Sequence, residues 1–161
     1  MKKLWLIGLL ICSPFTMNAQ SGTTSGLDKS HFSKYWKVES ESPDYKVSFS
    51  GDTCEILSPK GLTLWSKDKM SGIVTIDYDA CVVEGKPGDR LSDLNCFWMA
   101  SDPKASDIWK RMNWRNGVFV NCYSLQLYYL GYGGTYNSTT RFRRYDGNED
   151  GETEEKERPA I

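Results

Sequence analysis

Apolar and polar residues alternate along most of the chain, which predicts short β-strands separated by turns. The alternating segments are 45–49, 53–57, 62–65, 73–83, 92–99, 118–130 and 139–145. The first two flank Ser50-Gly51-Asp52, a tripeptide typical of a hairpin connection. Many short strands with turns at this spacing predict an all-β fold, either a sandwich or a jelly roll.

Two segments depart from this alternation. Residues 102–113 predict a helical turn or a long loop, because Asp102 can cap a helix and Pro103 fits its first position. Residues 146–157 are polar and acidic, and they follow the last predicted strand.

The start of the chain has the pattern of a bacterial secretory leader. A positive start, Met1-Lys2-Lys3, precedes an apolar run over 4–12, and Ala19 offers a small residue for cleavage. Lipid attachment at Cys12 is the less favoured alternative, because Ile11 is larger than the residue this processing requires. We therefore expect a leader over 1–19, a polar linker over 20–30, one domain over 31–161, and a periplasmic or secreted protein.

Composition narrows the function classes. The 161 residues suffice for one core, and a net charge of -1 gives no basic balance for nucleic-acid binding. Beyond the leader no stretch is apolar enough to span a membrane.

The four remaining cysteines show no paired spacing, so buried thiols are favoured over disulfides. His31 is the one histidine, which argues against zinc.

Four short segments carry a resemblance to a known family, namely 61–65, 92–103, 137–143 and 157–161. Over residues 31–161 the chain resembles secreted domains of unknown function from polysaccharide-degrading Gram-negative bacteria. The resemblance implies a concanavalin A-like jelly roll, related in fold to laminarinase-type and keto-disaccharide hydrolases. Members of that family continue with further strands past the Arg158-Pro159-Ala160-Ile161 stretch. This chain is therefore expected to be shortened at its C-terminus, with the last strands missing.

Arginine and aromatic residues provide the main candidate chemistry. Arg141, Arg143 and Tyr145 share one face of a predicted strand, and an arginine fork suits a sugar carboxylate. In a polysaccharide lyase a cation neutralises that carboxylate while a tyrosine or histidine removes the neighbouring proton. His31, Tyr123 and Tyr128 are candidate bases by type. The predicted catalytic pair is Tyr123 with Arg141, and the predicted substrate-binding residues are Asp93, Asn95, Trp114, Tyr128 and Arg143.

Two acidic patterns suggest other chemistry. Asp77 and Asp79 share a strand face, as the acidic residues of laminarinase-like hydrolases do, although the spacing is incomplete and a solvated face is favoured. Calcium is the one cofactor that the sequence suggests. Its candidate ligands have the spacing of a calcium loop, and they are Asp146, Asn148, Asp150 and Glu157. No helix is predicted on either side, so a solvated charge run is the favoured interpretation.

These observations lead to a secreted carbohydrate-active protein with a polysaccharide or oligosaccharide as its partner. It acts as an acidic-glycan lyase or a glycoside hydrolase, or it is a non-catalytic carbohydrate-binding module. The third alternative is a truncated remnant without function. It is considered because the family resemblance implies further strands that are expected to be missing here. Residue types alone do not distinguish cleavage from binding.

Overall fold

A computed structural model describes residues 27–148 and the backbone of residues 2–7. In those parts of the chain the strands are β1 (Lys2–Ile7), β2 (Trp36–Ser40), β3 (Lys46–Ser50), β4 (Thr53–Ser58), β5 (Leu62–Ser66), β6 (Asp79–Glu84), β7 (Leu94–Ser101), β8 (Gln126–Gly133) and β9 (Thr139–Asp146). The helical segments are short: α1 (Phe32–Tyr35), α2 (Met112–Arg115), a 3-10 helix (Phe119–Ser124) and α3 (Gly134–Asn137). The interior of α3 has a left-handed backbone.

The strands form three antiparallel sheets with the orders β3-β4-β1-β6, β2-β5 and β7-β8-β9. The predicted hairpin is confirmed, since Ser50 pairs with Thr53 at the end of β3 and β4. Gly51 turns the chain there with a φ of 55°, a conformation that glycine adopts without steric cost.

The core lies where the β2-β5 sheet packs on one face of the β7-β8-β9 sheet. Trp65 of β5 packs among Leu127, Tyr129 and Tyr145 of the larger sheet. Its ring also stacks on Phe97 of β7, with the ring centroids 5.8 Å apart. Sheets that bury apolar side chains between them make an all-β sandwich, as the sequence predicts.

A buried ion network ties the two sheets to the loop around α2. Glu39 of β2 accepts hydrogen bonds from Trp65 Nε1 at 3.1 Å, from Arg115 Nη2 at 3.1 Å and from the Gly117 N–H at 3.3 Å. Asp102 lies on the other side of the guanidinium, with Oδ2 3.5 Å from Arg115 Nη1. Every charged group in this set is buried, so the network holds distant segments in one arrangement.

Two predicted strands differ from the structure. Residues 73–78 are not in a strand, and only Asp79–Glu84 of the segment 73–83 pairs, as β6. In the described part of the chain no strand pairs with 73–78, and Ile73, Val74 and Ile76 are exposed. An alternating pattern without a neighbouring strand does not form a sheet.

The start of the segment 118–130 is helical, because Phe119–Ser124 forms the 3-10 helix and β8 begins at Gln126. Phe119 and Cys122 both contact the core, and a spacing of three residues places two side chains on the same side of a 3-10 helix. Residues 102–111 form turns, in which Asp102 accepts a hydrogen bond of 2.9 Å from the Lys104 N–H.

The four cysteines of the described chain are free. Cys54 and Cys122 are buried as predicted, whereas Cys81 is exposed and Cys96 is half-buried. Among the described residues no helix has both the length and the hydropathy to cross a membrane.

Candidate functional site

The alternation of β8 gives the β7-β8-β9 sheet two different faces. Leu127, Tyr129 and Gly131 are buried, while the residues between them are more exposed. On β9, Arg143 lies directly opposite Tyr129 and Arg141 opposite Gly131. Directly paired residues point to the same face of a sheet, so both arginines share the inner face with Tyr129.

One row across the sheet places an amide and a guanidinium on either side of a glycine. Asn95 of β7 pairs with Gly131, and Gly131 pairs with Arg141. The Tyr129 side chain runs along β8 and covers Gly131, since a Cβ at 131 would lie 2.0 Å from the Tyr129 hydroxyl. That hydroxyl donates a hydrogen bond of 2.9 Å to Asn95 Oδ1. The row therefore presents Asn95, the Tyr129 hydroxyl and Arg141 side by side.

Tyr129 and Tyr145 lie beside Arg143, and Tyr123 packs against Tyr145. The rings of Tyr129 and Tyr145 stack with centroids 5.6 Å apart, and Tyr123 from the 3-10 helix meets Tyr145 edge-on at 4.8 Å. Burial raises the pKa of Tyr129 and of Tyr145, and the positive charge of Arg143 partly opposes both shifts. Both hydroxyls therefore stay protonated at neutral pH and can donate hydrogen bonds.

Arg141 is the cation of this face that residues 27–148 leave without a bonding partner. It is half-buried, and within residues 27–148 its guanidinium makes no hydrogen bond and no ion pair. Asp93 is the nearby acid, but its carboxylate pairs with Arg90. We call Asn95, Tyr123, Tyr129, Arg141, Arg143 and Tyr145 the arginine face.

The arginine face brings together several of the predicted site residues. Tyr123, Arg141, Arg143 and Asn95 belong to it, and Asp93 lies at its edge, close enough to act electrostatically on Tyr129. The clustering of these residues is a finding about their positions, and their roles remain predictions.

Tyr128 and Trp114 lie elsewhere, so the structure does not place them with the arginines. Tyr128 is on the outer face of the sheet, where its ring packs 5.9 Å from both Trp98 and Phe142. The side chain of a residue next to a buried one points to the opposite face, which explains the separation of Tyr128 from Tyr129. Trp114 is in α2, exposed, with the Arg111 guanidinium 4.5 Å from its ring.

The other candidates do not join the arginine face. Asp77 and Asp79 are exposed, as the favoured interpretation predicts. His31 is exposed, and its Nδ1 lies 3.0 Å from Asp28 Oδ2. Of the calcium-loop positions, Asp146 pairs with Arg144 at 3.1 Å, Asn148 is exposed, and 150 and 157 lie outside the described residues. Within the described residues no cluster of three or more His, Cys, Asp or Glu side chains is arranged for a metal ion.

A pocket of about 330 Å³ lies between the end of β2 and α2, away from the arginine face. Both of its carboxylates are already paired, Glu39 with Arg115 and Glu41 with Lys60 at 3.3 Å. The arginine face, with an available cation and oriented donors, is therefore the stronger candidate for ligand binding.

Tyr129 and Gly131 are the site residues that sequence reasoning misses. Gly131 lies in a Gly-rich stretch that predicts only a turn. The sequence does not distinguish Tyr129 from the neighbouring tyrosines as a site residue. The one available signal is the alternation of side chains along β8, which places Leu127, Tyr129 and Gly131 on the same face.

Comparison with known proteins identifies the family. Residues 56–160 match the model of a domain of unknown function, DUF6250, and the match includes all of β7, β8 and β9. Neither the search of curated proteins nor the search of solved structures gives a match. Since the family model covers well over half of the chain, the protein belongs to the DUF6250 family.

Proposed function

We propose that this protein is an exported carbohydrate-active protein that recognises an acidic polysaccharide through its arginine face. The observation that carries the proposal is Arg141, a half-buried guanidinium on a sheet face with no ion pair inside the described chain. A planar guanidinium can donate two parallel hydrogen bonds to a carboxylate, which is the charged group of a uronic acid.

The neighbours of Arg141 support a sugar ligand. The Asn95 amide can hydrogen-bond a hydroxyl group, and the half-buried Tyr123 offers a hydroxyl and part of an apolar ring. Such a mixture of flat rings and a few fixed polar groups suits a pyranose, which has apolar faces and polar edges.

Charge removal at two neighbouring positions tests this proposal. Arg141→Ala should weaken binding of a polyuronate about 10- to 100-fold, as expected for loss of a charge-assisted hydrogen bond. Arg144→Ala is the matched control, because Arg144 is exposed on the outer face of the same strand and pairs with Asp146. Calorimetric titration of both variants measures the difference. Equal losses in the two variants would mean that binding depends only on the net charge of the protein. That result would overturn the proposal.

Cleavage by elimination is the second candidate, and the position of Tyr123 favours it. In this reaction a base takes the proton at C5 of the uronate, the bond from C4 to the glycosidic oxygen breaks, and a C4–C5 double bond forms. The departing oxygen then takes up a proton. Because the Tyr129 hydroxyl is bonded to Asn95 and Tyr145 is buried, the half-buried Tyr123 is the tyrosine of the arginine face best placed to meet a substrate as the base.

Ultraviolet absorbance of the unsaturated product separates cleavage from recognition. A rise with a polyuronate that Tyr123→Phe abolishes would make the protein a lyase. A flat trace with a polymer that binds in titration would assign recognition without elimination. Hydrolysis requires paired carboxylates around the sugar bond, and the exposed Asp77 and Asp79 stand apart from the arginine face.

A further inference from the structure

The hydrogen bond between Tyr129 and Asn95 determines which chemistry Asn95 offers to a ligand. A side-chain amide has an acceptor end and a donor end. The Tyr129 hydroxyl donates to Asn95 Oδ1 at 2.9 Å, so the acceptor end is already used inside the sheet. Among the described residues the Nδ2 end makes no hydrogen bond, so it is the end left to meet a ligand.

Gly131 is what allows this arrangement. The Tyr129 ring lies along β8 above Gly131, and a Cβ there would come within 2.0 Å of the hydroxyl and 2.5 Å of ring carbon Cζ. A larger residue at 131 would therefore displace the hydroxyl from Asn95. The glycine and the tyrosine act together to fix the amide.

The fixed amide matters because of what shares its row. Asn95 pairs across Gly131 with Arg141, two strand spacings away, which is about 10 Å between backbones. The Tyr129 side chain covers Gly131 between them, so a ligand would meet the two N–H donors on either side of the tyrosine hydroxyl. Asp93, which lies at the edge of the arginine face, is paired with Arg90.

We propose that Tyr129 is a positioning residue that holds Asn95 as a hydrogen-bond donor, so that Asn95 and Arg141 together select a sugar carboxylate. This inference rests on the proposed function, and it narrows the ligand to a uronate unit. Anionic sugars carry either carboxylates or sulfate esters. A guanidinium pairs bidentately with carboxylates and with tetrahedral oxyanions alike, so the fixed Asn95 donor is the group that we expect to discriminate between them.

Tyr129→Phe tests the inference, because it removes the hydroxyl and keeps the ring. Its affinity is measured by calorimetric titration against a polyuronate, the same polymer with its carboxyl groups reduced, and a sulfated neutral glycan. We expect Tyr129→Phe to bind the polyuronate about tenfold more weakly and the reduced polymer with unchanged affinity. Tyr132→Phe is the control, since Tyr132 is an exposed tyrosine on the outer face of the same strand.

Asn95→Asp gives a second arm that keeps the size of the side chain. It replaces the donor end with an acceptor, so it should abolish the preference for the polyuronate over the reduced polymer. Wild-type preference retained in both Tyr129→Phe and Asn95→Asp would overturn the inference. Equal or tighter wild-type binding of the sulfated glycan would overturn it as well.

The two proposals fail in different ways. If the wild-type protein binds the polyuronate and Arg141→Ala weakens that binding, the proposed function stands. The affinity of Tyr129→Phe then decides the inference about Tyr129. If the wild-type protein binds none of the three polymers, both proposals fall. A thermal unfolding curve for each variant identifies any loss that comes from misfolding.

Discussion

Arg115 and Glu39 form an ion pair of 3.1 Å in the interior of the sandwich, although 76 positions separate them in sequence. Both side chains are withdrawn from solvent, at 0% and 1% exposure. Glu39 belongs to β2 and Arg115 to α2, so the pair fixes the loop that leads from β7 toward β8. The arginine face depends on this loop, because the 3-10 helix that carries Tyr123 follows directly from it.

Loss of one partner of this pair should be costly. Glu39→Gln keeps the shape and leaves the Arg115 charge without its carboxylate, so the free energy of unfolding should fall by about 3–5 kcal/mol. Urea unfolding followed by tryptophan fluorescence measures it. Glu41→Gln is the control, because the ion pair of Glu41 with Lys60 is solvent-exposed and should contribute at most about 1 kcal/mol. Similar losses for both variants would contradict a structural role for the buried pair.

Gly117 should tolerate no side chain. Its φ is +70° and a Cβ would lie 2.6 Å from the Ser40 Cα, so Gly117→Ala combines backbone strain with a steric clash. Gly51→Ala is the matched variant, since Gly51 has a φ of +55° and open space around it. We expect Gly117→Ala to destabilise the protein by about 1–3 kcal/mol more than Gly51→Ala. Equal effects in thermal unfolding would mean that β2 and Gly117 are not in contact.

The buried thiols should make the fold sensitive to alkali. Burial raises the pKa of Cys122 from 9.0 to about 12 and that of Cys54 from 9.0 to about 11. Above pH 9 the unfolded chain has released these protons and the folded chain has not. The free energy of unfolding therefore falls as pH rises from about 9 toward 12, and the contribution is fully present below pH 9.

A pH series of urea unfolding curves tests this prediction. Cys122→Ala should show a shallower decline above pH 9 than the wild-type protein. Cys81→Ala removes an exposed thiol and should keep the wild-type slope. An unchanged slope in Cys122→Ala would show that the thiol of Cys122 is not protected from solvent.

Export should remove the first strand. If cleavage follows Ala19, the mature chain begins at Gln20 and lacks Lys2–Ile7, which pairs with both β4 and β6 in the full-length chain. The mass of the protein recovered from the periplasm or medium measures this directly. A mass that includes residues 1–19, or a lipid on Cys12, would contradict the predicted processing. The arginine face should be unaffected, because β1 does not belong to the β7-β8-β9 sheet.

The strands that could be predicted are those whose alternating segment finds a neighbour in the fold, either close in sequence, as for β3 and β4, or distant, as for β7 and β8. The hairpin around Gly51 needs only a two-residue connection, and its pattern alone specifies it. Residues 73–78 have an equally clear pattern, but the described chain supplies no neighbouring strand. Pairing over long distances depends on the whole fold, which explains the difference.

The sequence indicates which residue types form the site, but not how they are arranged in space. Arg141 and Arg143 alternate, so a shared face follows from the sequence. The choice between Tyr128 and Tyr129 depends on the register of β8, and a shift by one residue exchanges the two faces. The bond from Tyr129 to Asn95 spans two strands and 34 positions, and no local pattern indicates it.

The arginine face is proposed to bind a carboxylate-bearing polysaccharide. The most direct test is calorimetric titration of the wild-type protein with a polyuronate and with the same polymer after reduction of its carboxyl groups. We expect measurable binding of the polyuronate, weakening as salt screens the arginine charges, and binding at least tenfold weaker for the reduced polymer. Equal affinity for the two polymers, or binding of neither, would contradict the account.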